Sequence, residues 1–221
     1  MKHWFAAVAL AAASVAHGAA SVEDFVKAAE FNDPRGIAAQ LQQGVDPNLT
    51  DSRGRTALFT AVREGSSRAL EALLASPQVD VNAANANGET ALMLAAIRGS
   101  LPMAQALVKR GAAVNRAGWT PLHYACSGPD NGVAAFLIAQ GAELNARSDN
   151  GTTPLMMAAR YGGGDLVPLL IKAGAEPRAA NEQELTAADF AVRGGRDAMA
   201  KDLRRLMQER QERGRAAGAA K

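Results

Sequence analysis

The chain has 221 residues and a net charge of +2, from 24 Lys and Arg against 22 Asp and Glu. Hydrophobic residues make up 48% but aromatics only 5%, so the apolar content is mostly alanine and short aliphatics, which suits thin, tightly stacked helices. One cysteine excludes an internal disulfide framework and a two-cysteine zinc site, and a 21% charged fraction argues against wholesale disorder.

Residues 1–20 read as an export signal. Lys2 and His3 open a basic start, Trp4 to Ala13 is an unbroken apolar run, and small residues follow through Gly18, Ala19 and Ala20. The run falls short of the roughly 20 residues of a spanning helix, so cleavage after Gly18 or Ala20 is expected. The remaining chain then keeps one histidine, His123, and one cysteine, Cys126. Its charge is uneven: residues 201–221 hold 7 basic against 3 acidic groups, whereas 21–200 hold 16 against 19. That tail is too dilute a patch to imply nucleic acid.

From residue 51 onward the chain repeats itself. Gly54-Arg55-Thr56-Ala57-Leu58 returns as Gly88-Glu89-Thr90-Ala91-Leu92, Gly118-Trp119-Thr120-Pro121-Leu122 and Gly151-Thr152-Thr153-Pro154-Leu155, with a weaker copy at Glu184-Leu185-Thr186-Ala187-Ala188. The threonines are 34, 30, 33 and 33 residues apart. Small pairs follow each leucine (Ala61-Val62, Ala95-Ala96, Ala125-Cys126, Ala158-Ala159), then apolar pairs such as Leu73-Leu74 and Leu169-Leu170. Four clear units span 51–83, 85–115, 116–146 and 148–178. Two degenerate units, 22–50 and 180–206, flank them; the first lacks the Thr-Pro-Leu start and the second has Glu184 where glycine is expected. Between Asn115 and Thr120 the connection is three residues shorter than between Asn145 and Thr153, which predicts a stunted finger. After Met207 no apolar stripe remains, so a frayed helix and a disordered basic tail are expected over 207–221.

These residues resemble the ankyrin repeat, most fully at Gly118 to Ala125, where Thr120-Pro121-Leu122-His123 is intact. The resemblance covers roughly residues 22–206. It implies an all-α solenoid of about six helix-turn-helix repeats with short β-hairpin-like fingers, the terminal two being caps. The domain divisions read 1–20 signal peptide, 21–206 ankyrin-repeat domain and 207–221 tail. Within such a fold Thr caps the first helix, Pro follows where no amide partner is needed, and Gly111, Gly141 and Gly174 end second helices in a left-handed conformation.

Chemistry is scarce. His123 and Cys126 lie three apart on one helix, the spacing of a redox or hydrolytic pair. The blander reading makes His123 the ankyrin histidine that bonds backbone of adjacent fingers, and Cys126 a small core residue. One histidine leaves no metal cluster, and Gly162-Gly163-Gly164 lacks the order of a phosphate loop. No cofactor is expected.

What remains is surface. The resemblance implies binding at finger tips and along the concave face of the first helices. It points to Arg53, Arg55, Glu89 and Trp119 on fingers, and to Arg63, Arg98, Arg160 and Tyr161 after the small pairs. Arg63, Arg98 and Arg160 are expected to align as a positive stripe, with Trp119 overhanging it. Trp, Tyr and Arg dominate interface hot spots. The expected function is a non-enzymatic, monomeric scaffold or adaptor that binds another protein in the periplasm, or as a secreted protein. The alternatives are a Cys126/His123 enzyme and an adaptor docking to the cell envelope through its basic tail.

Overall fold

The computed structural model describes residues 21–219; the expected signal segment and its cleavage point lie outside the described residues. Twelve helices follow one another as six helix-turn-helix pairs: α1 (Val22–Glu30) and α2 (Pro34–Gln42), α3 (Ala57–Glu64) and α4 (Ser67–Leu74), α5 (Ala91–Ile97) and α6 (Leu101–Lys109), α7 (Pro121–Ala125) and α8 (Asn131–Ala139), α9 (Pro154–Tyr161) and α10 (Leu166–Ala173), and α11 (Ala187–Arg193) and α12 (Asp197–Ala219). First helices pack on first helices in sequence order, and second helices form a second row.

The recurring residues explain this arrangement. Thr56, Thr90 and Thr153 accept hydrogen bonds from backbone amides three residues on, at 3.1, 3.4 and 3.4 Å, fixing where each first helix starts. Ala61, Ala95, Ala96, Ala125, Ala158 and Ala159 are fully buried between first helices and let their backbones approach closely. Leu73, Leu107, Leu137 and Leu170 fill the space between the rows. No pair could bury these faces alone, so the solenoid is stabilised by neighbours in order.

Asparagines fasten each of the first four units to the next. Asn48 donates its Nδ2 to the Gln78 carbonyl and accepts from the Asp80 amide, at 2.8 Å each. Asn82 engages Gly111 and Ala113, and Asn115 engages Gly141 and Glu143, in the same two-point manner. Asn145 accepts from the Glu176 amide at 2.8 Å. The degenerate first unit has two further ties besides Asn48: a Glu23 carboxylate oxygen accepts from the Ser52 amide at 2.7 Å, and Asn32 Oδ1 from the Ala69 amide at 3.0 Å.

The fingers are turns and not extended hairpins. Asp51–Arg55, Asn85–Glu89, Ser148–Thr152 and Asn181–Leu185 are each closed by two backbone hydrogen bonds, the first residue's amide donating to the last carbonyl and the fourth residue's amide to the first carbonyl. Ala84 and Thr90 form an isolated bridge. The third finger, residues 115–119, carries no such closing bond among the described residues; it is a bend, as its missing three residues require. Arg116 staples it sideways to the Gly88 carbonyl of the finger before.

At the far end the structure departs from the expected tail. Helix α12 runs without a break through Ala219, so residues 207–219 are helical where fraying and disorder were expected. Arg205 pairs with Asp202 at 2.9 Å and lies 4.0 Å from Glu209, and the alanines beyond are strong helix formers. These local terms need no apolar stripe.

Candidate functional site

The positions picked from sequence separate into two groups. On the first finger Arg55 is consumed by the fold. Its Nε donates to Asp51 Oδ2 at 2.8 Å, Nη2 lies 2.6 Å from the same oxygen, and Nη1 lies 3.6 Å from Glu30. Burial would raise the Asp51 carboxyl, but the Arg55 hydrogen bonds outweigh it and hold the group below its ordinary 3.8. Arg53 is exposed beside it. Arg63, at the end of α3, pairs with Glu64 at 2.7 Å. None of these three touches the cluster described next.

That cluster sits in the middle of the first-helix face. Trp119 leaves the shortened finger and packs edge-on against two rings of α7, with centroids 5.2 Å from His123 and 6.4 Å from Tyr124. Beside it opens a pocket of about 350 Å³, walled by Ile97 of α5, Tyr124 of α7, and Met157 and Tyr161 of α9, with Ser127 and His123 at its base. Tyr161 is 51% exposed, unusual for an aromatic ring. The Arg160 guanidinium stacks over it, 4.9 Å from the ring centroid. Tyr124 donates its hydroxyl to Glu89 at 3.1 Å; burial, reinforced by the Glu89 charge, pushes that hydroxyl up to about 12. Glu89 also receives Asn85 Nδ2 at 2.8 Å.

The arginines do not form a continuous stripe. Counting seven residues on from each capping threonine gives Arg63, Ile97, Ser127, Arg160 and Arg193, with Arg98 one place later. The central two positions are uncharged and line the pocket, so cations flank an apolar centre. Of the sequence candidates, the structure brings Trp119, Tyr161, Arg160 and Glu89 together, with Arg98 following Ile97 at the end of α5. Tyr124 and Met157 were not among them. Their signal is positional: both stand four residues after a capping threonine, where Thr60 and Leu94 stand in other units.

His123 and Cys126 do not make a reactive pair. The His123 Nδ1 accepts from the Thr120 amide at 3.1 Å, and Nε2 lies 2.9 Å from the Thr152 carbonyl, so both ring nitrogens are spent on backbone. Burial lowers the imidazole below its ordinary 6.5, against the opposing pull of the Thr152 and Ala146 carbonyls. Burial pushes the Cys126 thiol up, away from thiolate chemistry. Among the described residues no group of three His, Cys, Asp or Glu side chains could hold a metal ion, and no helix is long and apolar enough to cross a membrane.

A larger groove of about 730 Å³ opens between α10 and the start of α12. Of its charged lining residues, Arg196 is engaged by the Ala158 and Ala159 carbonyls and Asp202 by Arg205.

Comparison with known proteins follows the same geometry. Family models described as "Ankyrin repeats (3 copies)" match residues 25–117 and 67–148, and one described as "Ankyrin repeats (many copies)" matches 137–191. The chain is 36% identical over 149 residues to the nuclear factor NF-kappa-B p105 subunit of Mus musculus, and 30% identical over 174 residues to Rabankyrin-5 of Homo sapiens. These alignments take in 64% and 66% of this chain but only 15% of each relative's length. A chain in the structure of the Bd0816 predatory endopeptidase from Bdellovibrio bacteriovorus in complex with immunity protein Bd3460 superposes with a TM-score of 0.71 at 29% identity. That likeness covers 84% of this chain and 98% of the other.

Proposed function

This chain belongs to the ankyrin-repeat family, and from that premise we propose that it binds a partner protein on its first-helix face, outside the cytoplasm and without chemistry of its own. The observation that carries the reading is the aromatic pocket between Trp119, Tyr124 and Tyr161, flanked by Arg98 and Arg160. Exposed aromatics and arginines around a preformed hollow are what interface hot spots are made of. With its one thiol buried and the His123 ring nitrogens held by backbone, the chain offers no Cys–His pair for chemistry among the described residues.

Export is supported by the basic start, apolar run and small-residue exit of residues 1–20. The structural neighbour, an endopeptidase in complex with an immunity protein, makes an exported peptidase the first partner to try. In this reading the chain acts as a binding protein that holds such an enzyme in check.

The test places a photo-crosslinking amino acid at position 161 or, as a control, at position 71 on the second-helix side, in cells expressing the full chain. A discrete crosslinked partner in the periplasmic or secreted fraction from position 161 is the expected result. Crosslinks from position 71 alone, or a cytosolic product with an uncleaved start, overturn it.

A further inference from the structure

The pocket's chemistry specifies what it takes, given that the first-helix face binds a partner. Its walls have few polar atoms to offer. Ser127 Oγ donates to the His123 carbonyl at 3.2 Å, the His123 nitrogens face Thr120 and Thr152, and the Tyr124 hydroxyl faces Glu89. Glu89 itself is occupied on both oxygens by Asn85 and Tyr124. A polar side chain entering here would lose water without replacement, whereas an apolar one would gain from burial.

The rim has the opposite character. Arg98 follows the lining residue Ile97, and Arg160 precedes the lining residue Tyr161. Among the described residues neither has a carboxylate within ion-pair distance, in contrast to Arg55, Arg63, Arg204 and Arg205. The two cations stand just after α5 and on α9, two inter-helix spacings or roughly 20 Å apart, on either side of the hollow.

We infer that the pocket receives one large apolar side chain of an extended partner segment, and that Arg98 and Arg160 receive acidic side chains two residues before and after it. Alternate residues of an extended chain face the same way, so an acid-x-apolar-x-acid stretch presents all three together. It spans roughly 13 Å, and the reach of two arginine side chains covers the remainder. The partner is therefore an acidic segment with a central apolar knob; charge sets its approach and the knob its residence.

The probe is a fluorescein-labelled, end-blocked peptide, Gly-Asp-Ser-Phe-Ser-Asp-Gly, read by anisotropy against the full chain. Controls replace Phe by Ala, or both Asp by Lys. Saturable binding is expected for the acidic peptide, weakened about tenfold by the Arg98→Glu, Arg160→Glu double variant, the loss of two exposed charge contacts. The Lys peptide should bind that double variant better than it binds the native chain. Equal binding of acidic and basic peptides to the native chain, no binding by any, or no exchange of preference in the double variant overturns the inference. If crosslinking at position 161 still captures a partner, the inference alone fails and the binding face stands.

Discussion

The Nε2 atom of His123 lies 2.9 Å from the carbonyl oxygen of Thr152, so a ring on α7 holds the finger of the following unit in place. The ring must be neutral for Nδ1 to accept from the Thr120 amide while Nε2–H donates across the unit boundary.

That requirement makes stability depend on pH near neutrality. Because the folded imidazole titrates below its ordinary 6.5, the unfolded chain takes up the proton first as pH falls. The contribution is complete above 6.5 and is lost as pH falls through the folded value. Denaturant midpoints measured from pH 7.5 to 5 should fall, and His123→Leu should abolish the fall in that window. The same variant should cost about 1–3 kcal/mol at neutral pH, since it leaves buried backbone groups unpaired.

Arg55→Ala should cost stability and leave partner affinity alone. The Asp51 side chain is fully buried, and without the guanidinium it keeps only backbone amide donors. A loss of about 1–3 kcal/mol by chemical denaturation is expected. Lowered affinity with unchanged stability would return Arg55 to the binding face.

Glu184 adopts φ 59°, where the equivalent Gly54, Gly88, Gly118 and Gly151 adopt 69–76°. A side chain in this left-handed region costs about 1–2 kcal/mol, partly offset by the freer unfolded chain of glycine. Glu184→Gly should therefore stabilise the protein by about 0.5–1 kcal/mol, and Gly88→Glu should destabilise it. Thermal unfolding checks both signs.

Trp119→Ala should lower partner affinity by about 2 kcal/mol or more. Because the indole packs on His123 and Tyr124, it should also cost about 1 kcal/mol of stability, a loss that free exposure would not produce. Calorimetry of the free chain and binding titration with the crosslinked partner separate the two.

Native Cys126 should resist thiol reagents until the chain unfolds, since it is fully buried and its thiol is pushed up. Cys126→Ala should cost about 1 kcal/mol or less, because Ala96 and Ala159 occupy that position elsewhere. Rapid labelling at neutral pH would count against this.

The stack was legible because its residues act locally and recur: Thr56, Thr90 and Thr153 each start a helix by the same bond three residues on. The site was half legible. Trp119 and Tyr161 stand out by type, but the pocket arises where Ile97, Tyr124 and Met157 converge from three units, a coincidence of stacking that no single unit records. Arg55 misled because its main partner, Asp51, faces it only once the finger turn has formed, and Glu30 reaches it from another unit. The frayed helix expected after Met207 runs on through Ala219, a length not foreseen because alanine propensity produces no apolar period.

The two-point asparagine clamps also decide how the molecule yields to force. Asn48, Asn82 and Asn115 each fasten one unit to the next through a catch of similar strength, and they lie in series along the chain. Tension applied at the two ends reaches every catch alike, but an outermost unit is held on one side only whereas every inner unit is gripped from both. The solenoid should give way as a row of snaps, one unit at a time from its ends inward, and re-engage in the reverse order when slack returns.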